Sequence, residues 1–241
     1  MSEAMVRPGG ELASRPLHFF WVVDCSGSMS GEKIGIVNNA IQSVLPEMAD
    51  EADDNPNAQL MIRTLKFATG ASWVTTDPVK VEDYVWEDLD AYGVTDMGKA
   101  FDLLAAQLDV KQMGTRALPP VIVLLSDGQP TDNYKQSLAK LQALPWAKKA
   151  VKIAISIGKD ADDEVLFEFT GNKELVLQAN SAKMLAKMIK WASTSVSAVS
   201  SGASDASKDQ NPENNAASAG NGPLILDMNN IPEPGDADDV W

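Results

Sequence analysis

One cysteine and one histidine are all that the 241 residues hold of the two side chains most used to bind soft metals and to carry protons. Cys25 alone can form neither an intrachain disulfide nor a cysteine cage for zinc or an iron–sulfur cluster. A reducing compartment suits such a chain, and the cytoplasm is the expected location. Basic side chains are also scarce, 20 against 34 acidic, for a net charge of −14. That field repels phosphate backbones and anionic lipid, so nucleic acid and membrane surfaces are excluded as expected partners. Long apolar runs are missing: the longest, Phe19 to Val23 and Val121 to Leu125, have five residues, against roughly 18 for a membrane span. Residues 1–17 lack the apolar core of about 7 to 15 residues that a secretory signal needs and read as a flexible N-terminal arm.

What is present is an ordinary globular composition, 44 % apolar and 22 % charged, in a length that fits one domain. His18 to Val23, Val121 to Leu125 and Val151 to Ile157 are nearly continuous apolar segments, as in parallel strands covered on both faces. Between them, Ile34, Val37, Ile41, Val44, Leu45 and Met48 recur at helical spacing. So do Met97, Phe101, Leu104 and Leu108, and then Leu138, Leu141 and Leu144. Residues 60–68 and 72–76, joined by Gly70, predict a hairpin and an edge strand; 174–177 predicts a last short strand and 181–196 a closing helix. The order predicts an α/β fold: a Rossmann-like, doubly wound, mostly parallel sheet with one antiparallel edge strand and helices on both faces. The domain is expected over 18–198.

From residue 199 Ser, Ala, Asn, Gly and Asp take over and periodicity disappears, which predicts a disordered acidic tail over 199–241. It carries eight acidic residues and Lys208, a net charge of −7. Apolar residues return among carboxylates in 223–241. That segment reads either as a docking strap, for a partner, another copy or this chain's own domain, or as an inert solubilising end.

Doubly wound sheets place ligands at the carboxyl ends of their strands, where the winding reverses. The loop after the first strand reads Asp24-Cys25-Ser26-Gly27-Ser28-Met29. In extended chain alternate side chains face one way, so Asp24, Ser26 and Ser28 can converge. Ser126-Asp127-Gly128 follows the second long run, and Gly93-Val94-Thr95-Asp96 offers a hydroxyl before a helix. Hard oxygen donors without nitrogen or sulfur suit Mg²⁺ or Mn²⁺, with Ca²⁺ below them, and argue against zinc. Asp24 and Asp127 directly follow apolar strands, where an unpaired carboxylate is costly unless a cation or several hydrogen bonds meet it. Ser28, Ser30, Asp96 and Asp132 also suit helix N-caps. Cys25 reads as a small buried filler and His18 as a residue at the far end of the strand.

The motifs DCSGSM, GVTDMG and LLSDGQPTD, in that order, resemble the metal-ion-dependent adhesion site of von Willebrand factor type A domains. The resemblance spans roughly residues 17–198 and implies that Asp24, Ser26, Ser28, Thr95 and Asp127 hold the metal. PPVIVLLSDGQPTDNY and KIAISIGKDADDEVLFEFTG further resemble the bacterial TerY-like branch, named for tellurium resistance. Members of that branch often accompany a protein kinase and a PP2C-like phosphatase, which the resemblance implies as partners in stress signalling.

Two carboxylates leave a divalent ion neutral and incompletely ligated, so a partner's Asp or Glu is the expected further ligand. The reading is a non-enzymatic, metal-dependent adaptor. The alternative is a metal-dependent phosphatase or phosphotransferase with Asp24 as nucleophile. Against it, the acid expected two residues on is Ser26, and no nucleophile elbow, phosphate loop or zincin motif is present.

Overall fold

The computed structural model describes residues 14–53, 58–159 and 161–190. Strand β1 (Arg15–Asp24) leads through a 3-10 turn (Gly27–Met29) to α1 (Glu32–Asp53). Then come β2 (Ala58–Ala68), β3 (Gly70–Trp73) and β4 (Val79–Lys80), followed by α2 (Met97–Gln107) and α3 (Val110–Met113). Strand β5 (Val121–Ser126), α4 (Tyr134–Ala143) and α5 (Pro145–Lys149) precede β6 (Val151–Ile157), α6 (Asp163–Thr170) and β7 (Val176–Ala179). A helix over 182–190, here α7, closes the described chain.

The strands form one sheet in the order β3-β2-β1-β5-β6-β7. β2, β1, β5, β6 and β7 run parallel, while β3 and β4 both pair antiparallel with β2, so the antiparallel edge is split between two short strands. The winding reverses between β1 and β5, whose carboxyl ends are Asp24 and Ser126.

Alternation along β1 sends Phe19, Trp21 and Val23 to the α1 and α7 side, and Phe20 and Val22 to the side covered by α2 to α6. Burying side chains of this size stabilises the fold by roughly 1.5–3 kcal/mol each. A strand covered on both faces must be apolar at successive positions, which is why β1, β5 and β6 read as uninterrupted runs.

Several boundaries differ from expectation. β1 begins at Arg15, because Leu17 is already buried and pairs with Leu60. The edge strand stops at Trp73, and the carbonyls of Thr75 and Thr76 instead accept hydrogen bonds from the Arg63 guanidinium. At 174, the Asn172 side chain accepts from the Glu174 N–H (3.0 Å), forming a 3-10 turn (Lys173–Leu175) that delays β7 to Val176. An element not anticipated from periodicity is α6. Asp162 caps it through the Glu164 N–H (3.1 Å), and Val165, Leu166 and Phe169 form its buried stripe. The closing helix is described over 182–190; its expected continuation to 196 lies outside the described residues, as do 1–13, the tail 199–241 and its segment 223–241.

Candidate metal centre

Asp24 ends β1 fully buried. Its Oδ1 accepts the Ser26 N–H (2.8 Å) and its Oδ2 accepts the Ser126 hydroxyl (2.5 Å). Burial nonetheless pushes its carboxyl up to about 6; the bonds from Ser126 and Ser26 pull the other way, and the Asp127 charge adds to the rise. The ionised form is therefore under-compensated by the protein alone. Ser26, also buried, places its Oγ 3.0 Å from the Ser28 Oγ on the exposed rim.

Asp127, one residue beyond β5 and 3 % exposed, buries its Oδ1 without a hydrogen-bond partner among the described residues. Its backbone is fixed on both sides. The Gly128 N–H donates to the Ser126 Oγ (2.9 Å), and the Asp127 carbonyl accepts the Asp162 N–H (2.7 Å). Gly128 has φ of 69°, and a Cβ there would lie 2.4 Å from the Asp162 carbonyl oxygen, so a larger residue would force the third loop off α6.

Thr95 is buried in the loop before α2. Its N–H donates to the Thr131 Oγ1 (3.1 Å) and its carbonyl accepts the Thr131 N–H (2.9 Å), which locks the second loop to the third. The first and second loops join where the Gly27 N–H donates to the Gly93 carbonyl (3.0 Å). Gly93 adopts φ of 77°, and a Cβ there would strike the Thr69 hydroxyl at 2.3 Å.

The helix-cap expectations are revised by these contacts. Asp96 stands at the N-cap position of α2, but its side chain makes no cap bond to that helix. Its Oδ2 accepts from Lys99 Nζ (2.5 Å) and the Gly70 N–H (2.8 Å), which hold the carboxyl below its ordinary range. Asp132 does not cap α4; it reaches across to cap α2, accepting from the Gly98 (2.9 Å) and Lys99 (3.2 Å) N–H groups. Ser30 ends the 3-10 turn, its N–H bonded to the Gly27 carbonyl (3.2 Å), rather than starting α1.

Cys25 is 2 % exposed, and burial pushes its thiol up to about 12, so it is an inert filler at neutral pH. His18 lies six residues before Asp24 on β1, at the opposite end of the sheet. Ser126, Thr131 and Asp132 support the site in roles that the motif spacing did not assign them. The available signal for Ser126 was a hydroxyl closing an otherwise apolar, fully buried strand.

The donor set fits a divalent cation. An orphaned carboxylate oxygen on Asp127, an under-compensated Asp24 and the Ser26, Ser28 and Thr95 hydroxyls belong to three interlocked loops at one sheet edge. Among the described residues no cluster of three or more His, Cys, Asp or Glu could hold a metal, so a cation here depends on the hydroxyls.

Solved structures share this architecture. The fold is similar to proximal thread matrix protein 1 from the mussel byssus with a zinc-occupied MIDAS motif (16 % identity, TM-score 0.55, 78 % of this chain and 47 % of that one). It is also similar to the ArnB paralog VWA2 from Sulfolobus acidocaldarius (18 %, 0.55, 72 % and 44 %). A third likeness is to the pilus adhesin SpaC from Lactobacillus rhamnosus GG (14 %, 0.61, 77 % and 31 %). The chain thus matches less than half the length of each. No curated protein sequence matches it. The sequence pattern of the von Willebrand factor type A domain matches residues 20–191, and the chain belongs to that family.

Proposed function

We propose that this domain is a non-enzymatic, metal-dependent protein–protein interaction module. Asp24, Ser26, Ser28, Thr95 and Asp127 would hold the cation. The observation that carries the reading is the Asp127 Oδ1, an acceptor buried without a donor among the described residues, near a second carboxylate that burial disfavours as an anion. A divalent ion there supplies a Lewis-acidic centre with a place for an Asp or Glu of a partner protein. The chain's own residues set the orientation. Ser126 and the Ser26 N–H fix the Asp24 carboxylate, and Thr131 and Asp132 fix the loop that bears Thr95.

Mg²⁺ or Mn²⁺ suits these donors best. Zinc occupies the motif of the byssus protein, so Zn²⁺ belongs in the same test. The TerY-like resemblance supports a protein kinase and a PP2C-like phosphatase as partners, in stress signalling within the cytoplasm. No helix among the described residues is long and apolar enough to cross a membrane. The tail segment 223–241, with apolar residues among carboxylates, is a further candidate to reach the metal edge or a partner's groove. Against the phosphotransferase alternative, Ser26 stands where an acid is needed and the chain's one histidine is at the other end of the sheet.

Calorimetric titration of the full chain with Mg²⁺, Mn²⁺ and Zn²⁺, beside Asp24→Ala, tests the site. Capture of partners from extract with Mg²⁺ or EDTA tests its use. Saturable metal binding lost in Asp24→Ala, together with EDTA-sensitive capture, supports the proposal. Equal metal binding by the variant, or capture indifferent to EDTA, overturns it.

A further inference from the structure

At the end of the sheet opposite the metal edge, on its α2 side, lies a cavity of about 600 Å³, within the roughly 300–1,000 Å³ typical of small-molecule sites. Its floor is His18, Met61 and Arg63, where β1 and β2 lie side by side with His18 opposite Met61 and Phe20 opposite Arg63. Leu103 of α2 and Met113 of α3 supply apolar walls.

Two polar groups in this cavity lack the partners their burial calls for. Arg63 is 9 % exposed, with its guanidinium over the Trp73 ring at 4.1 Å. Its Nε and Nη2 donate to the carbonyls of Thr75 and Thr76, and its Nη1 donates to Gln107 Oε1. All these acceptors are neutral. Among the described residues no carboxylate lies within ion-pair distance of Arg63, although the chain carries 34 acidic side chains. Burial lowers the Arg63 pKa, and the charge of Asp77, exposed on the rim, opposes this by favouring the protonated guanidinium. One Nη1 hydrogen remains unassigned, and the positive charge is uncompensated by contact.

His18 is the second such group. It is 7 % exposed, its ring stacks on Phe20 (5.9 Å between centroids), and its Nδ1 is buried without a hydrogen-bond partner among the described residues. Burial lowers its pKa to about 4, so the imidazole is neutral at pH 7. It therefore offers one nitrogen as an acceptor or a donor according to tautomer.

We propose that this cavity binds a small organic acid whose carboxylate meets Arg63, whose apolar body lies against Met61, Leu103 and Met113, and whose hydroxyl or amide group bonds His18 Nδ1. A carboxylate supplies the charge that four neutral acceptor contacts leave unmatched. Met61, Leu103 and Met113 give the apolar body a place within a lining that is otherwise largely polar. Along the strands His18 lies six residues and Arg63, opposite Phe20, four residues before Asp24, roughly 20 and 13 Å, so one small acid does not span both.

Because His18 is the chain's one histidine, its imidazole NMR signals report on the cavity without ambiguity. The probe is 3-phenyllactate, compared with its neutral amide, titrated into the full chain in EDTA so that metal-bound carboxylate does not contribute. The expected result is a saturable shift of the His18 signals below about 10 mM, with the amide at least tenfold weaker. Leu103→Trp, which fills the cavity and leaves every Arg63 hydrogen bond in place, should abolish the shift. Asp77→Asn should tighten binding by removing the competing rim charge. No saturable shift, or equal shifts from acid and amide, overturns the proposal. So does a His18 signal that responds to removal of residues 1–13 and not to the acid, an outcome that assigns the cavity to the chain's own amino-terminal segment.

Discussion

At the carboxyl end of β1 the buried charge is negative, and the loops around it gather acceptors: two carboxylates and three hydroxyls with an orphaned oxygen among them. At the amino end the buried charge is positive, and the neighbours of Arg63 are neutral carbonyls and an amide that satisfy its hydrogens without cancelling its charge. The two charges stand on adjacent strands, Asp24 at the end of β1 and Arg63 on β2 opposite Phe20, and both are buried in the fold. The contrast teaches that hydrogen-bond satisfaction and charge compensation are separate requirements, and that a site is marked by the one left unmet. Among the described residues, Asp127 Oδ1 lacks a donor, whereas Arg63 lacks a counter-charge.

The largest effect that separates the two ends is metal affinity. Asp24→Ala should weaken Mn²⁺ binding by roughly a hundredfold or more, while Leu103→Trp at the other end leaves it within about twofold; calorimetry reads both, and equal losses would mean that the ends are coupled. In metal-free buffer at pH 7, Asp24→Asn should raise the unfolding midpoint, because it removes an anion that burial disfavours and keeps an acceptor for the Ser26 N–H.

Next in size is the acid response of His18. The unfolded imidazole takes up a proton near pH 6.5, but the folded one resists until about 4. The folded protein is therefore free of this penalty above 6.5 and loses stability as pH falls toward 4, by roughly 3 kcal/mol in total. Denaturant unfolding across that window should show the wild type losing this stability toward acid relative to His18→Phe, and parallel curves would remove His18 as the cause.

The smallest effect concerns the cross-loop cap. Asp132→Ala exposes two N–H groups of α2 and should cost about 1 kcal/mol with a few-fold loss of metal affinity through Thr95. A stability loss without any change in metal affinity would confine Asp132 to the helix and separate it from the site.

Much of this architecture was legible because it depends on local pattern. β1, β5 and β6 read as continuous apolar runs because both faces are covered, and α1 and α2 carry their stripes at helical spacing. The helix α6 carried its own signals, an Asp cap and a closing Gly171 in the left-handed region, yet its eight residues are too few for periodicity to stand out. The five candidate ligands could be named from motif order. What could not be read were the partners across the chain: the bond from Ser126 to Asp24, the reach of Asp132 to α2, and the course of Arg63 along the edge loop. Each depends on tertiary register, which no sequence window contains. Lys152 is a further case, a lysine on β6 whose pKa burial lowers.

The bond between Ser126 and Asp24 joins residues 102 positions apart, and this separation bears on the order of events during synthesis. The loop with three of the five candidate ligands leaves the ribosome early, but the hydroxyl that fixes its carboxylate and the second carboxylate arrive only with β5. Loop closure over such a span is slow and comes late. A chain arrested before β5 would carry the first motif intact and still be unable to grip an ion. With the proposed ligand set, metal capture would mark completed folding, since it needs the two halves of the sheet to have met.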